Sequence, residues 1–298
     1  MTKTLIKGGT IISMDRKTGD FAKGDILVNG SEIEKIGKSI RSPGAKLIDA
    51  TGMIVMPGFV NAHLHTWQTG VRGVAGNWSI PEYLHHMHAT IAPRYTANDT
   101  YLGNLVGALN QINLGATTIF DWCHNNSTPA HSDAGVRGLQ ESGIRALFGH
   151  GSPKPDAAAG AKHFSEIPHP RKELERLRND VLSDDDALVT LAMSALGVDF
   201  STWEVVEHDF RLAKELDLII STHVWGAPNR LNPDGYRKLA KLKLLDRRHN
   251  MVHGNYLSDA ELKLIIDCGA STTITPEVEI QMGHGKPHQQ LHLMPMHH

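Results

Sequence analysis

Histidine is the residue type in excess in this 298-residue chain, with 19 copies, and the first spacing that could do chemistry is His63-Leu64-His65. Residues 58–65 read as a β-strand, and strand residues two apart project to one face, so both imidazoles leave the strand's end in the same direction. Two neutral imidazoles at about 2.0–2.1 Å from one ion make half a zinc site, and a catalytic zinc takes a third protein ligand and keeps an open position. His-x-His also arises by chance in a histidine-rich chain, so position has to decide. His223 closes the apolar run Ile219-Ile220-Ser221-Thr222-His223, and His253 lies in Met251-Val252-His253-Gly254. A satisfied core histidine at 253 and a hydrogen-bonded strand end at 223 are the plainer readings. All four, however, fall in the C-terminal halves of strands, the rim where catalytic groups of α/β barrels collect. That shared register favours a metal site.

The elements that must position these residues follow from periodicity. Residues 1–56 read as short strands broken by turns, with an Asn29-Gly30 hairpin signal. From Pro57 the pattern becomes apolar runs alternating with helix-length amphipathic stretches, as in βα units around a parallel sheet. Strands are expected at 58–65, 117–123, 145–151, 188–196, 218–224, 251–257 and 270–276. Thr96 with Asp99, and Ser258 with Glu261, open helices as capping boxes, and Gly115 and Gly269 close them. The fold class is therefore α/β: a TIM-type barrel with seven of eight strands, preceded by a small β unit.

Composition bounds the partners. Lys and Arg number 30 against 32 Asp and Glu, a net charge of −2, which argues against nucleic acid or an anionic membrane as the target. No apolar run reaches the roughly 18 residues of a membrane span, and the N-terminus lacks a signal-like core, so a cytoplasmic location is expected. Cys123 and Cys268 are read as reduced thiols.

With these motifs in hand, the chain resembles the amidohydrolase superfamily, in its chlorohydrolase and deaminase-like branch. The resemblance runs from residue 1 to about Pro287. It rests on Pro57-Gly58-Phe59-Val60-Asn61-Ala62-His63-Leu64-His65, Ser221-Thr222-His223, Val252-His253-Gly254, and Thr275-Pro276-Glu277 followed by Met282-Gly283-His284-Gly285. It implies a barrel (57–287) with a composite β-sandwich to which residues 1–56 contribute, and a divalent metal, usually zinc and sometimes iron. It implies hydrolysis at carbon bonded to nitrogen or a leaving group on a small-molecule substrate. Carried over, His63, His65 and His223 are metal ligands, and His253 orients the attacking water or polarises the substrate. The strand at 188–196 has no lysine to bridge two metals, so a single ion is expected.

Two departures qualify the resemblance. Relatives of the deaminase type carry a glutamate three residues after the fifth-strand histidine, where this chain has Val224-Trp225-Gly226. The family's eighth-strand aspartate also has no counterpart: the last aspartate is Asp267, and only Glu277 and Glu279 follow it. The tail 288–298 holds four His and two Met without helical or strand period. The expectation is a chain truncated before its last barrel strand, with weak metal binding and little turnover. A natural short variant and a His-rich metal-binding tail are the other readings. Glu277 and Glu279 are expected on a loop, away from the metal.

Among the remaining residues, His284 in its glycine-flanked segment and Trp67, two residues after His65, are expected to touch substrate, with Trp225 as another pocket wall; packing alone also explains the tryptophans. Asp121, His124 and His150 read as loop or cap residues or as substrate contacts. His85, His86 and His88 read equally as a solvated helix face or as part of a cover over the site. The leading function is hydrolysis of non-peptide carbon–nitrogen bonds, such as deamination of a small substrate. The competing readings are hydrolytic dehalogenation, slightly favoured by Gly226, and a non-catalytic relic or scaffold compatible with a homo-oligomer.

Overall fold

The computed structural model describes residues 3–155, 157, 159–225 and 230–285, so Gly226 and the 288–298 tail lie outside the described residues. The chain divides into two units, one ending at Phe59 and one beginning at Val60.

The first unit is a sheet of β1 (Lys3–Ile11), β2 (Phe21–Asn29), β3 (Glu32–Gly37), β4 (Lys46–Asp49) and β5 (Ile54–Val55). The β2–β3 turn is the expected Asn-Gly hairpin, with Gly30 at φ +63. β4 and β5 both run parallel to β1. Their short sequences carry no local mark of that non-local pairing. Leu5, Leu27 and Ile40 form the small core, and buried Asp25 accepts the Gly8 and Ile40 amides, tying a loop to the sheet.

The second unit is a seven-strand sheet in chain order: β6 (Phe59–Leu64), β7 (Ala116–Cys123), β8 (Arg145–Gly151), β9 (Val189–Ala195), β10 (Ile220–His223), β11 (His249–Val252) and β12 (Ser271–Thr273). Every register from β7 to β12 is parallel, the nearly closed barrel expected. Alternate residues divide between its faces: Ile119 and Cys123 join the main core with the helices, while Phe120 and Trp122 pack with Ala192 on the other face. Thr96 and Ser258 cap the helices Ala97–Asn113 and Asp259–Asp267 through reciprocal bonds with Asp99 and Glu261.

Two strand ends differ from expectation. The sixth barrel strand stops at Val252, because His253 takes φ +74, a left-handed conformation uncommon for residues other than glycine that ends the extended run. The seventh is only Ser271–Thr273, and the helix Pro276–Met282 follows it, so Glu277 and Glu279 are helical rather than on a loop.

The turn after β6 is held from behind. A Cβ on Gly103 would meet the Trp67 carbonyl oxygen at 2.4 Å, and one on Gly107 would meet Thr66 Cγ2 at 2.6 Å. The two glycines therefore let the helix Ala97–Asn113 lie directly on the backbone that follows His65. Asp121 accepts the Thr66 amide at 3.1 Å and the Asn104 side chain at 2.8 Å, joining β7, that turn and the helix. Burial lifts the Asp121 carboxyl to about 7 against those hydrogen bonds. It is thus a structural anchor rather than a group at the rim's opening.

Candidate metal centre

His63 sits near the end of β6, His65 one residue past it, and His223 ends β10. Their ring centres lie 4.8 Å (63–65), 4.9 Å (63–223) and 5.2 Å (65–223) apart. One ring nitrogen from each falls within 4.8 Å of the others, and among the described residues this is the group of His, Cys, Asp and Glu that converges in this way.

Two tests bear on whether these side chains suit a divalent ion. His63 Nε2 and His223 Nε2 stand 3.3 Å apart, and two nitrogens bound tetrahedrally at about 2.0–2.1 Å from one zinc would be separated by about 3.3–3.4 Å. His65 Nδ1 lies 2.7 Å from the Trp122 carbonyl oxygen, which can only accept, so Nδ1 carries the proton and Nε2 keeps its lone pair. Electrostatics agree with geometry. Burial draws His65 down to about 3 and holds His63 and His223 well below the ordinary imidazole range, and the neighbouring histidines push the same way on both. All three are neutral at physiological pH, the form that binds metal. The residues fit the ion.

His253 joins the cluster, its ring centre 5.3 Å from His63 and 5.4 Å from His223. Its left-handed backbone aims it there, and its amide still bonds to the Thr273 carbonyl at 3.0 Å. Its Nδ1 donates to Glu279 Oε1 at 2.9 Å, which leaves Nε2 as the unprotonated nitrogen of the neutral ring. Glu279 is fully buried and also accepts from Asn255 Nδ2 at 3.0 Å and from the Thr275 amide at 2.7 Å. Burial alone would raise its carboxyl, but the bonds from His253, Asn255 and Thr275 outweigh that and hold it at about 2. Sequence reasoning set Glu279 aside from the site. The short helix Pro276–Met282 instead carries it back under His253, across 26 residues, and only the Thr275-Pro276-Glu277 helix start hinted at such a turn.

The other expected contacts divide. His284 stacks on His253 with ring centres 4.4 Å apart, and burial draws it down to about 4. Trp225 lies 5.5 Å from Phe200 and 6.5 Å from His284, at the rim. Trp67 is a correction: it has no exposed surface, belongs to the main core, and donates its indole N–H to His124 Nδ1 at 3.0 Å. The turn after His65 folds it inward, so it meets His124 from the core side. His124 stacks on His65 at 4.2 Å. His88 is buried against His124, whereas His85 and His86 are exposed, so the solvated-face reading holds for two of the three. His150 pairs with His169 at 2.9 Å. Lys154, unremarked in the sequence, sets its ammonium 4.8 Å from the centre of the Trp122 ring, and burial draws it down to about 7.

No family model matches the chain. Over 290 residues it is 25% identical to a 5-methylthioadenosine/S-adenosylhomocysteine deaminase of Pyrococcus furiosus, covering 94% of this chain and 65% of that protein. A deaminase of the same name from Symbiobacterium thermophilum is 36% identical over 154 residues, 51% of this chain and 34% of its own length. The chain thus spans less than two thirds of the curated relatives it matches. The structure of atrazine chlorohydrolase TrzN from Arthrobacter aurescens complexed with zinc superposes with a TM-score of 0.80 at 20% identity, covering 95% of this chain and 68% of that one. Together with the motif order and the parallel barrel, relatives of these kinds indicate the amidohydrolase superfamily, in the chlorohydrolase and deaminase branch.

Proposed function

We propose that this chain is the barrel part of a metal-dependent hydrolase that removes an amino group from a small-molecule substrate. The observation that carries the reading is the convergence of one ring nitrogen each from His63, His65 and His223 within 4.8 Å. A divalent ion held by these three, with zinc the first candidate because the TrzN structure is complexed with it, would supply Lewis acidity that makes water nucleophilic near neutral pH.

The chain's own residues do the rest. The Trp122 carbonyl fixes the His65 tautomer, and Asp121 and the helix Ala97–Asn113 fix the turn that carries that ring. In the overall reaction water oxygen bonds to carbon, the carbon–nitrogen bond breaks, and ammonia leaves with the water's proton. A proton carrier is required, and the glutamate that relatives place three residues after the fifth-strand histidine is absent here. His253 suits that role, since its free Nε2 can take a proton and give it to the departing amine, while Glu279 at Nδ1 stabilises the transient imidazolium. The named relatives support deamination over dehalogenation, since those matched by sequence are deaminases.

The test is product analysis. Zinc-loaded chain incubated with amino-substituted purines and triazines, each offered with and without a carboxylate substituent, should release ammonia from at least one of them, and a chelator should stop the release. Chloride without ammonia from chlorinated analogues would move the reaction to dehalogenation. Absence of both products at high enzyme concentration would remove the enzymatic reading.

A further inference from the structure

Beside the histidine triad lies a group of nitrogen donors that the hydrolytic reading leaves unused. Trp122 is buried and its indole Nε1 has no hydrogen-bond partner. His124, equally buried, accepts the Trp67 indole at Nδ1, so the proton of its neutral ring sits on Nε2. Lys154 lies over the Trp122 ring, and no carboxylate among the described residues pairs with it. The group is continuous: Trp122 and His124 have ring centres 5.2 Å apart. It also abuts the candidate ligands, with Trp122 4.3 Å from His223 and His124 4.2 Å from His65. The acid nearest in sequence, Asp121, is turned away, its oxygens taken by Thr66 and Asn104. A buried donor without an acceptor, as at Trp122 Nε1, is costly unless something else supplies the acceptor, and a lysine set over that ring with no acid beside it among the described residues gains its ammonium form only from an anion that joins it.

We propose that Trp122, His124 and Lys154 form a receptor for a carboxylate on the substrate, so that the chain acts on an amine that is also an acid. The inference rests on the hydrolase reading for its word "substrate" but not for its geometry. An indole N–H, an imidazole N–H and an ammonium, on rings 5.2 Å apart with the ammonium 4.8 Å from the indole centre, are the kinds of donor that a carboxylate takes, and charge-assisted hydrogen bonds are the stronger class. An electroneutral nucleoside leaves the ammonium unpaired. The receptor therefore selects against uncharged substrates as well as for acids.

The experiment uses the full chain freed of metal by chelation, with sodium benzoate and its neutral isostere benzamide as probes, read by calorimetry or ligand-observed NMR. Benzoate should bind about tenfold or more tightly than benzamide. Lys154→Met should erase the preference, Lys154→Arg should keep most of it, and Trp122→Phe, which keeps a ring but loses the N–H, should weaken benzoate several-fold. Equal binding of the two probes by the unmodified chain, or an undiminished preference in a folded Lys154→Met chain, overturns the receptor. If Lys154→Met fails to fold, the unmodified chain with Trp122→Phe decides the matter. Because metal is absent, failure here leaves the metal centre standing, and failure of zinc binding leaves this result standing.

Discussion

On the β6–β8 side of the rim, His65, Trp122, His124 and Lys154 gather N–H groups with no carboxylate against them among the described residues. On the β10–β12 side, His253 is backed by a buried glutamate that accepts from three residues. Both sides are built largely from imidazole and indole rings and both are buried, yet they answer charge in opposite ways. The first side can receive negative charge; the second can carry positive charge on His253, because Glu279 compensates it at Nδ1. The difference teaches that a histidine's role here is set by what occupies its remote nitrogen, not by its burial.

Breaking the junction between the two sides should have the largest effect. His223→Ala removes a ligand candidate that touches both, through Trp122 on one flank and His253 on the other. Zinc-dependent ammonia release should fall by about a thousandfold or more, since the ion loses a third of its protein ligands; a fall of less than tenfold would mean that His223 is not a ligand. The next effect is confined to one side. Glu279→Gln keeps the size but removes the charge behind His253, so kcat should fall by about 10- to 100-fold with little change in KM. A change in KM alone would assign Glu279 to substrate binding.

The smallest effect lies away from the rim. His150, His169 and His249 are also buried and drawn below the ordinary value, His150 to about 4, His249 to about 3 and His169 well below it, in each case chiefly by burial. Their folded-state pKa values are depressed, so the unfolded chain binds more protons once pH drops below the unfolded value near 6.5. Stability is therefore complete above that value and declines as pH falls from 6.5 towards 4, by up to about 2 kcal/mol per histidine at pH 5. Thermal unfolding of metal-free chain at pH 7, 6 and 5 should show the midpoint dropping at each step. A midpoint that rises on acidification would contradict the sign.

Much of this was legible in the sequence because it is local. His63 and His65 share a strand face by period two, and the capping boxes at Thr96 and Ser258 need only three residues to be recognised. The fold class followed from the alternation of apolar runs with amphipathic stretches. What stayed hidden depends on backbone direction or distant packing. His253 leaves its strand through a left-handed φ that no local spacing signals, and that turn brings it over Glu279. Trp67 looked like a pocket wall from its spacing, but two glycines on the next helix draw its backbone into the core. Lys154 and Trp122 lie 32 residues apart on neighbouring strand ends, and only the β7–β8 register brings them together.

The central claim is that His63, His65 and His223 hold one divalent ion. Its most direct test is a zinc titration of the metal-free chain by calorimetry, alongside the His63→Ala chain. The account predicts one zinc per chain, bound with little loss between pH 7 and 6 because burial already keeps the three imidazoles neutral, and lost in the variant. No binding by the unmodified chain, or binding that the folded variant keeps in full, would contradict it.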